Sequence, residues 1–332
     1  MLYITTKGNR DAFTSHRTLC TDIAPDDGYF LPMRFPHFSE GEIRSFVDGT
    51  FEETVAHILN VFFSAGLTKW DVGLCVGRNT AHVLESNPKV LIAELWHNSG
   101  NSFSYVINRL FHRIFKQTIE SNPSEWFCIA VKIAVWFGIY GALCRQSLVK
   151  FGQRIDISVP ADDFSYPISA LYALEAGLPI GNIVCNCAES HEVWSLIHRG
   201  TMNTHGMDAR LLAGIERYVL LRLGHSAVEH FRQSRIFEAT ADEVARLRKD
   251  MFCVVSGSDR IHRILNGVFT TSKRIVSPLT ALCLAGLGDY RAKIGESRLT
   301  LVLEEDSPII FAEQVETALG VTKKKLNNYL RE

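Results

Sequence analysis

Residues 89–115 read KVLIAELWHNSGNSFSYVINRLFHRIF. The first seven residues form a short apolar run of the kind found in buried strands. From residue 101 to residue 118 the apolar side chains recur at the spacing of an amphipathic helix. The polar stretch between them is a turn. This segment therefore predicts a strand, a turn and a helix in direct succession, which is the repeating unit of an α/β fold.

Similar units lie on both sides of this segment. Strand-like alternation marks residues 1–8, 154–160, 181–187 and 299–304. Helical spacing marks residues 51–65, 167–176 and 312–319. Two of these helices end at a glycine, Gly177 and Gly320, and a proline-bounded turn cluster occupies residues 24–32. Strands that alternate with helices predict an α/β fold with a largely parallel sheet.

One segment has the composition of a membrane span. Residues 126–144 read WFCIAVKIAVWFGIYGALC, with Lys132 as the only charge. This length is near the roughly 20 apolar residues that cross a bilayer. The central lysine and the preceding Glu125 disfavour a span, whereas the buried helix of a large domain has the same all-round apolar pattern. We predict a buried helix and no membrane association.

Bulk composition is that of a soluble globular protein of 332 residues, enough for one large domain or two smaller ones, with 46% hydrophobic and 21% charged residues. A formal net charge of −1 gives no reason to expect nucleic acid as a partner. Eight cysteines, scattered and mostly within apolar runs, favour reduced thiols and a cytoplasmic location.

Residues 94–105, ELWHNSGNSFSY, resemble the ELFHGPTLAFKD segment of threonine synthases, which are fold type II enzymes dependent on pyridoxal phosphate (PLP). Further resemblances to that family follow in the same order along the chain. They cover residues 1–8, 24–32, 126–137, 159–170, 177–180, 275–281, 303–311 and 314–320. The resemblance implies a threonine-synthase-like α/β architecture, with an N-terminal domain at residues 1–90 and a large PLP-domain-like unit at residues 91–332.

The departures from the family fall on its chemistry. The lysine that holds PLP as a Schiff base corresponds to Ser104, which cannot form an imine, and the next aspartate corresponds to Tyr105. The glycine-rich turn that cradles the cofactor phosphate corresponds to residues 162–166, where two carboxylates now stand. At about 4 Å each carboxylate would repel a phosphate by roughly 1–4 kcal/mol.

Two further parts of the family site are missing. The small mobile domain that carries the substrate loop has no counterpart near residues 106–121, and the residue that faces the pyridine nitrogen corresponds to Glu305, followed by Asp306. These departures predict a degenerate threonine synthase that does not bind PLP and has no cofactor.

The vacated cleft contains the candidate site residues. Carboxylates that lie close together shift each other's pKa and divide acid and base roles. The candidate catalytic residues are His97, Tyr105, Lys132, Asp163, Tyr166 and Glu305. The candidate substrate-binding residues are Asn98, Ser104, Asp162 and Ser165. The alternative is that the cleft floor has become an ordinary polar surface.

Lys132 replaces a glutamine of the family's buried helix. A buried ammonium must pair with a carboxylate or lose its proton. It is therefore either a displaced base or imine-former, or the partner of Asp162, Asp163 or Glu305 in a salt bridge. No metal site is predicted, because Cys185 and Cys187 with His191 lack the usual ligand spacing.

Two functional hypotheses stay open. The first is a PLP-independent enzyme, of lyase, isomerase or cyclase type, that acts on a small amino-acid-derived metabolite in the vacated cleft. The second is a catalytically dead pseudoenzyme that binds another protein through an apolar surface exposed by the lost domain. The partner is accordingly a small molecule or a protein, with a possible homodimer. Residual PLP binding through Lys132 is a third possibility.

Overall fold

The computed structural model describes residues 1–8, 11–77, 82–87, 89–115, 122–188, 191–322 and 326. The strands are β1 Leu2–Thr5, β2 Phe13–Thr14, β3 Phe30–Pro32, β4 His82–Asn87, β5 Val90–Glu94, β6 Ile155–Pro160, β7 Ile180–Cys187, β8 Thr201–Asn203, β9 Ile236–Glu238, β10 Met251–Val255 and β11 Thr300–Glu304. The helices are α1 Glu40–Asp48, α2 Phe51–Phe63, α3 Lys69–Val76, α4 Phe103–Phe115, α5 Glu125–Arg145, α6 Ser165–Glu175, α7 Glu192–Arg199, α8 Ala209–Leu223, α9 His225–Gln233, α10 Ala241–Arg248, α11 Ser258–Ser272, α12 Pro278–Ile294 and α13 Ala312–Leu319.

The central sheet has six strands in the order β10-β7-β6-β11-β5-β4. Five of them run parallel, and β4 pairs antiparallel with β5 at one edge. The predicted α/β fold with a largely parallel sheet is confirmed. Two smaller antiparallel sheets, β2-β1-β3 and β8-β9, lie outside it.

Both faces of the central sheet are covered, as parallel sheets require. Successive side chains of a strand point to opposite faces. On β5, Leu91 and Ala93 belong to the larger core, which includes the buried side of α5 and α6. Val90 and Ile92 belong to a second core, formed with α11 and α12. The continuous apolar run of the sequence therefore reflects a strand that is buried on both sides.

Helix α5 is the buried helix expected from its composition. By length and hydropathy it is the one helix in the described part of the chain that matches a membrane span, but 89% of its most apolar stretch is buried inside the protein. Ser124 caps its first turn by accepting a hydrogen bond from the Phe127 amide. Gly138 allows the ring of Phe51 from α2 to approach closely.

The N-terminal part of the chain shares the larger core with the sheet. Capping boxes at Ser39, Thr50 and Thr68 begin α1, α2 and α3. The predicted domain boundary at residue 90 separates β4 from β5, whereas the two strands are hydrogen-bonded to each other. The strand β4 therefore belongs to the large sheet, because pairing with β5 satisfies its backbone.

Only residues 116–124 connect α4 to α5. The predicted absence of a small domain near residues 106–121 falls partly on residues 116–121, which lie outside the described part of the chain. The predicted helix at 167–176 begins earlier, at Ser165. Pro167 is compatible with this start, because the first turn of a helix has no use for its missing N–H.

Candidate functional site

A cleft of about 460 Å³ lies between α4, α5 and the carboxyl ends of β6 and β11. Ligands of open parallel sheets bind at this side of the sheet, beyond the carboxyl ends of the strands. The cleft is lined by Asp22, Ser104, Ile107, Asn108, Asn122, Pro123, Glu125, Cys128, Lys132, Asp163, Ser165, Arg210, Glu305 and Asp306.

A hydrogen-bonded chain of three side chains forms one wall of the cleft. The Lys132 ammonium donates to Ser165 Oγ at 2.6 Å, and Ser165 Oγ donates to Asp163 Oδ1 at 2.7 Å. The backbone N–H of Ser165 donates to the same carboxylate oxygen at 2.9 Å. Asp163 therefore supplies a negative charge at the start of α6, where the helix dipole favours an anion.

Lys132 is buried, with 6% of its surface exposed, and its ammonium is stabilised on two sides. Besides the bond to Ser165, it lies 3.7 Å from the centre of the Tyr166 ring, a cation–π contact. Of the two interpretations of this lysine, the structure favours partnership with a carboxylate, through Ser165, over an unpaired base.

The pKa values of Asp163 and Glu305, two carboxyl groups of the cleft, shift in opposite directions. Burial raises the pKa of Asp163, but the Lys132 charge and the two hydrogen bonds from Ser165 outweigh it, so that the pKa falls below its usual value. Burial raises the pKa of Glu305, and the Lys132 charge offsets only part of this increase. Asp163 is thus the ionised partner and Glu305 the more readily protonated one.

Other side chains of the cleft limit the reactions and ligands that it can accept. Burial raises the pKa of the Cys128 thiol to about 12, so this cysteine is not a thiolate nucleophile at neutral pH. Glu125 pairs with the buried Arg217 at 2.8 Å. In all, two cations and five carboxyl groups line the cleft, so it has no net positive potential.

The structure does not bring all the predicted residues into this cleft. His97, Asn98 and Tyr105 line a second, more open cavity of about 490 Å³. Ser104 and Tyr105 are consecutive on α4, and consecutive helical side chains point about 100° apart, so only Ser104 faces the cleft. Tyr105 instead accepts a hydrogen bond from Arg109 at 3.0 Å.

Three more candidates have local structural roles. The Asn98 amide group bonds to Leu95 O, Ser102 O and Gly100 N, which holds the turn after β5 together. Asp162 is exposed and accepts a hydrogen bond from the Ala188 amide at 3.3 Å, outside both cavities. Tyr166 is buried behind Lys132 and does not line the cleft.

Several residues of the cleft carried no signal in the sequence. Arg210 lies at the start of α8, Asp22 lies in the loop before β3, and Asn108 follows Ser104 by one turn of α4. The position of Asn108 follows from helical spacing once Ser104 is a site residue. Nothing local in the sequence associates Arg210 or Asp22 with the cleft, because long-range packing brings them there.

Comparison with known proteins agrees with this geometry. Residues 2–79 match the family described as threonine synthase N terminus. A PLP-bound threonine synthase from Brucella melitensis superposes with a TM-score of 0.79 and 15% identity, over 97% of this chain and 92% of that chain. The chain has the fold of threonine synthases. The yeast threonine synthase gives the same TM-score at 13% identity, over 98% of this chain and 94% of that chain.

Sequence relatives point in the same direction. The human protein "Threonine synthase-like 1" is 21% identical over 179 residues, and its orthologue from Pongo abelii gives the same values. These matches cover 49% of this chain and 24% of the relatives' own length. The chain therefore has the threonine synthase fold and is similar in sequence to threonine-synthase-like proteins, and its cleft lies at the carboxyl ends of the strands of that fold.

Proposed function

We propose that this threonine-synthase-like protein works without PLP, and that its cleft binds a small amino-acid-derived metabolite and acts on it by proton transfer. The observation that carries the proposal is the position of Asp163. Its carboxylate already accepts hydrogen bonds from the backbone N–H and the hydroxyl group of Ser165 at the start of α6. A cofactor phosphate would need these same donors and would meet a negative charge.

The residues present do not fit a phosphate-bearing aldehyde cofactor. Ser104, at the position of the family's Schiff-base lysine, lines the cleft but offers only a hydroxyl group. The lysine that does line it, Lys132, is engaged with Ser165 and the Tyr166 ring. To attack an aldehyde, Lys132 would first have to lose its proton, and with it the charge that lowers the pKa values of Asp163 and Glu305.

The same carboxyl groups support the proposed chemistry. A group ionised at neutral pH and one with a raised pKa form a base and an acid. In the proposal Asp163 accepts a proton from the bound molecule and Glu305 donates one, as a lyase, isomerase or cyclase requires. Ser104, Asn108 and Arg210 are positioned to bind its polar groups. The excess of carboxylates favours a ligand with a positively charged amine.

The alternative is a pseudoenzyme that binds another protein through an exposed apolar surface, and the packing of α4 and α5 weakens it. A docking surface exposed by a lost domain would have to include apolar side chains of α4 and α5, and these are buried in the core. What remains in its favour is α3, where Trp70 and Leu74 are 74% and 66% exposed.

Native mass spectrometry of the protein purified gently from its own host tests the proposal. We expect a bound small molecule in the wild-type protein, with no mass corresponding to PLP. The mass is expected to disappear in the double variant Asp163→Asn, Glu305→Gln and to persist in the control Glu313→Gln, an exposed change on α13.

Two outcomes contradict the proposal. A stoichiometric protein partner with an empty cleft would favour the pseudoenzyme. An internal aldimine absorbance that borohydride reduces onto Lys132 would refute the PLP-independent interpretation.

A further inference from the structure

A second cluster of reactive side chains lies at the edge of the sheet, outside the cleft. His82 begins β4 and is paired in register with Glu94, the last residue of β5, while His97 follows three residues later. Glu94 Oε2 lies 3.1 Å from His82 Nδ1 and 2.5 Å from His97 Nε2. The three potential ligand atoms lie within 4.8 Å of one another.

The Glu94 carboxylate is fixed through the oxygen that does not contact the histidines. Glu94 is buried, and its second oxygen, Oε1, is bound by the Arg274 guanidinium. Arg274 also lies 3.9 Å from Glu304 Oε2. When Glu94 and Glu304 are both ionised, the single positive charge of Arg274 leaves one negative charge uncompensated. This charge favours a cation beside Glu94 Oε2, on the side of the two histidines.

One of the two histidines is held in a comparable way. The His97 ring stacks on Trp96 with 3.9 Å between the ring centres. The Trp96 indole N–H donates to Glu304 Oε2 at 3.3 Å. Neighbours that orient ligands in this manner are typical of metal sites. His82, in contrast, is half exposed, so that solvent reaches the cluster from one side.

We propose that His82, Glu94 and His97 form a binding site for a divalent transition metal of the zinc class. Two imidazoles and one carboxylate are ligands that zinc, cobalt and ferrous iron accept at about 2.0–2.2 Å. The three ligand atoms already lie within 4.8 Å of one another, so binding replaces the two contacts to Glu94 Oε2 with three coordinate bonds. The solvent-facing side leaves a coordination position for water, as in catalytic zinc sites.

This proposal is independent of the function proposed for the cleft. None of the three ligands lines that cleft, and His97 opens instead toward the second cavity, beside Asn98 and Tyr105. The proposed metal site therefore gives a role to His82 and His97, which take no part in the function proposed for the cleft.

The test is a titration of the full chain, first freed of metal with a chelator, using Zn²⁺ in calorimetry and Co²⁺ in visible absorption. We expect one Zn²⁺ per chain and a Co²⁺ d–d band of a nitrogen- and oxygen-liganded site. His82→Gln and His97→Gln are each expected to weaken Zn²⁺ binding by at least about tenfold. His112→Gln, an exposed change in the last turn of α4, is the matched control and should bind as the wild type does.

Circular dichroism of each variant confirms that it is folded before the titration is interpreted. The exposed His82 is the safer substitution in this respect. Absence of saturable Zn²⁺ binding by the folded wild type overturns the proposal. So does binding that the double variant His82→Gln, His97→Gln retains at wild-type affinity.

Discussion

Lys132 is a cation on a helix that is otherwise apolar on all sides, and its neighbours explain how the fold accommodates it. The ammonium reaches Ser165, and through that hydroxyl the carboxylate of Asp163. A buried charge without such partners would be expelled or neutralised. Lys132 therefore stabilises the acidic floor of the cleft, and any ligand of this cleft meets an assembled network of charges.

Replacing Lys132 tests that network. In Lys132→Met we expect a loss of about 1.5–3 kcal/mol in the free energy of unfolding, because a hydrogen bond to a charged group is removed and the carboxyl groups lose their counter-charge. Urea denaturation at pH 7 is the measurement. The exposed Lys69→Met, which breaks the surface pair with Glu53, should change stability much less than Lys132→Met does. Equal effects of the two changes would contradict the role given to Lys132.

Glu304 makes stability depend on pH. Burial raises its pKa from 4.5 to about 7 in the folded protein. Because the pKa of Glu304 is higher in the folded state than in the unfolded state, the folded state binds this proton more tightly. The protonated carboxyl group therefore stabilises the fold at low pH, and this stabilisation is lost as pH rises from about 5 through 7. The difference of 2.5 pKa units corresponds to about 3 kcal/mol at most.

The variant Glu304→Gln should remove this dependence. Relative to wild type, we expect it to gain about 2–3 kcal/mol in stability between pH 5 and pH 8. Urea denaturation at both pH values, in chelator to exclude metal effects, measures the difference. Glu313→Gln on the exposed side of α13 is the control. A wild type and a Glu304→Gln variant with parallel pH profiles would show that Glu304 ionises normally.

At the scale of elements, close packing of α5 against the N-terminal helices depends on glycine. A Cβ atom at Gly138 would lie 2.6 Å from the Phe51 ring, nearer than real Cβ contacts allow. Alanine is the better helix former by about 1 kcal/mol, so propensity and packing oppose each other here. Packing decides, because the ring of Phe51 is itself buried.

A pair of glycine substitutions separates the two effects. We expect Gly138→Ala to destabilise the protein by about 1–3 kcal/mol through overpacking. Gly267→Ala, within α11 and with no atom within 4 Å of the new Cβ, should stabilise it by about 0.5–1 kcal/mol. Thermal or urea unfolding of both variants gives the comparison. A stabilising Gly138→Ala would show that α2 and α5 have room to separate.

At the scale of the whole molecule, one buried arginine joins three distant parts of the chain. Arg217 of α8 donates to Glu125 at the start of α5 and to the Phe30 carbonyl of β3, and it lies over the Tyr29 ring. These contacts connect the N-terminal sheet to the helices that cover the central sheet. Removing one partner of a buried pair leaves the other charge uncompensated.

The variant Arg217→Met should therefore lose about 3–5 kcal/mol of stability. Chemical denaturation followed by both tryptophan fluorescence and circular dichroism measures the loss. Arg298→Met, which removes an exposed pair with Glu296, is expected to change stability far less than Arg217→Met does. A small effect of Arg217→Met would mean that the N-terminal sheet is held by apolar contacts alone.

Local periodicity predicted four of the six strands of the central sheet, β5, β6, β7 and β11, but not β4, β10 or the helices α11 and α12. The apolar runs at residues 89–95 and 154–160 became β5 and β6, and residues 126–144 became the buried α5. The resemblance to threonine synthases placed Asp163, Ser165 and Glu305 in one cleft with Lys132 and Ser104, and all five residues line the cleft in the structure. The strands and α5 follow from side chains near in sequence, whose spacing determines the face on which they lie.

Only the tertiary structure decided which candidate residues share a site. Ser104 and Tyr105 are neighbours in sequence, yet their side chains line different cavities. Consecutive side chains of a helix point about 100° apart, and the packing of α4 directs one toward each cavity. His82 meets Glu94 only because β4 turns back antiparallel to β5, and Arg210 reaches the cleft from α8. Such contacts join residues far apart along the chain, and they depend on packing and strand pairing, which local sequence patterns do not encode.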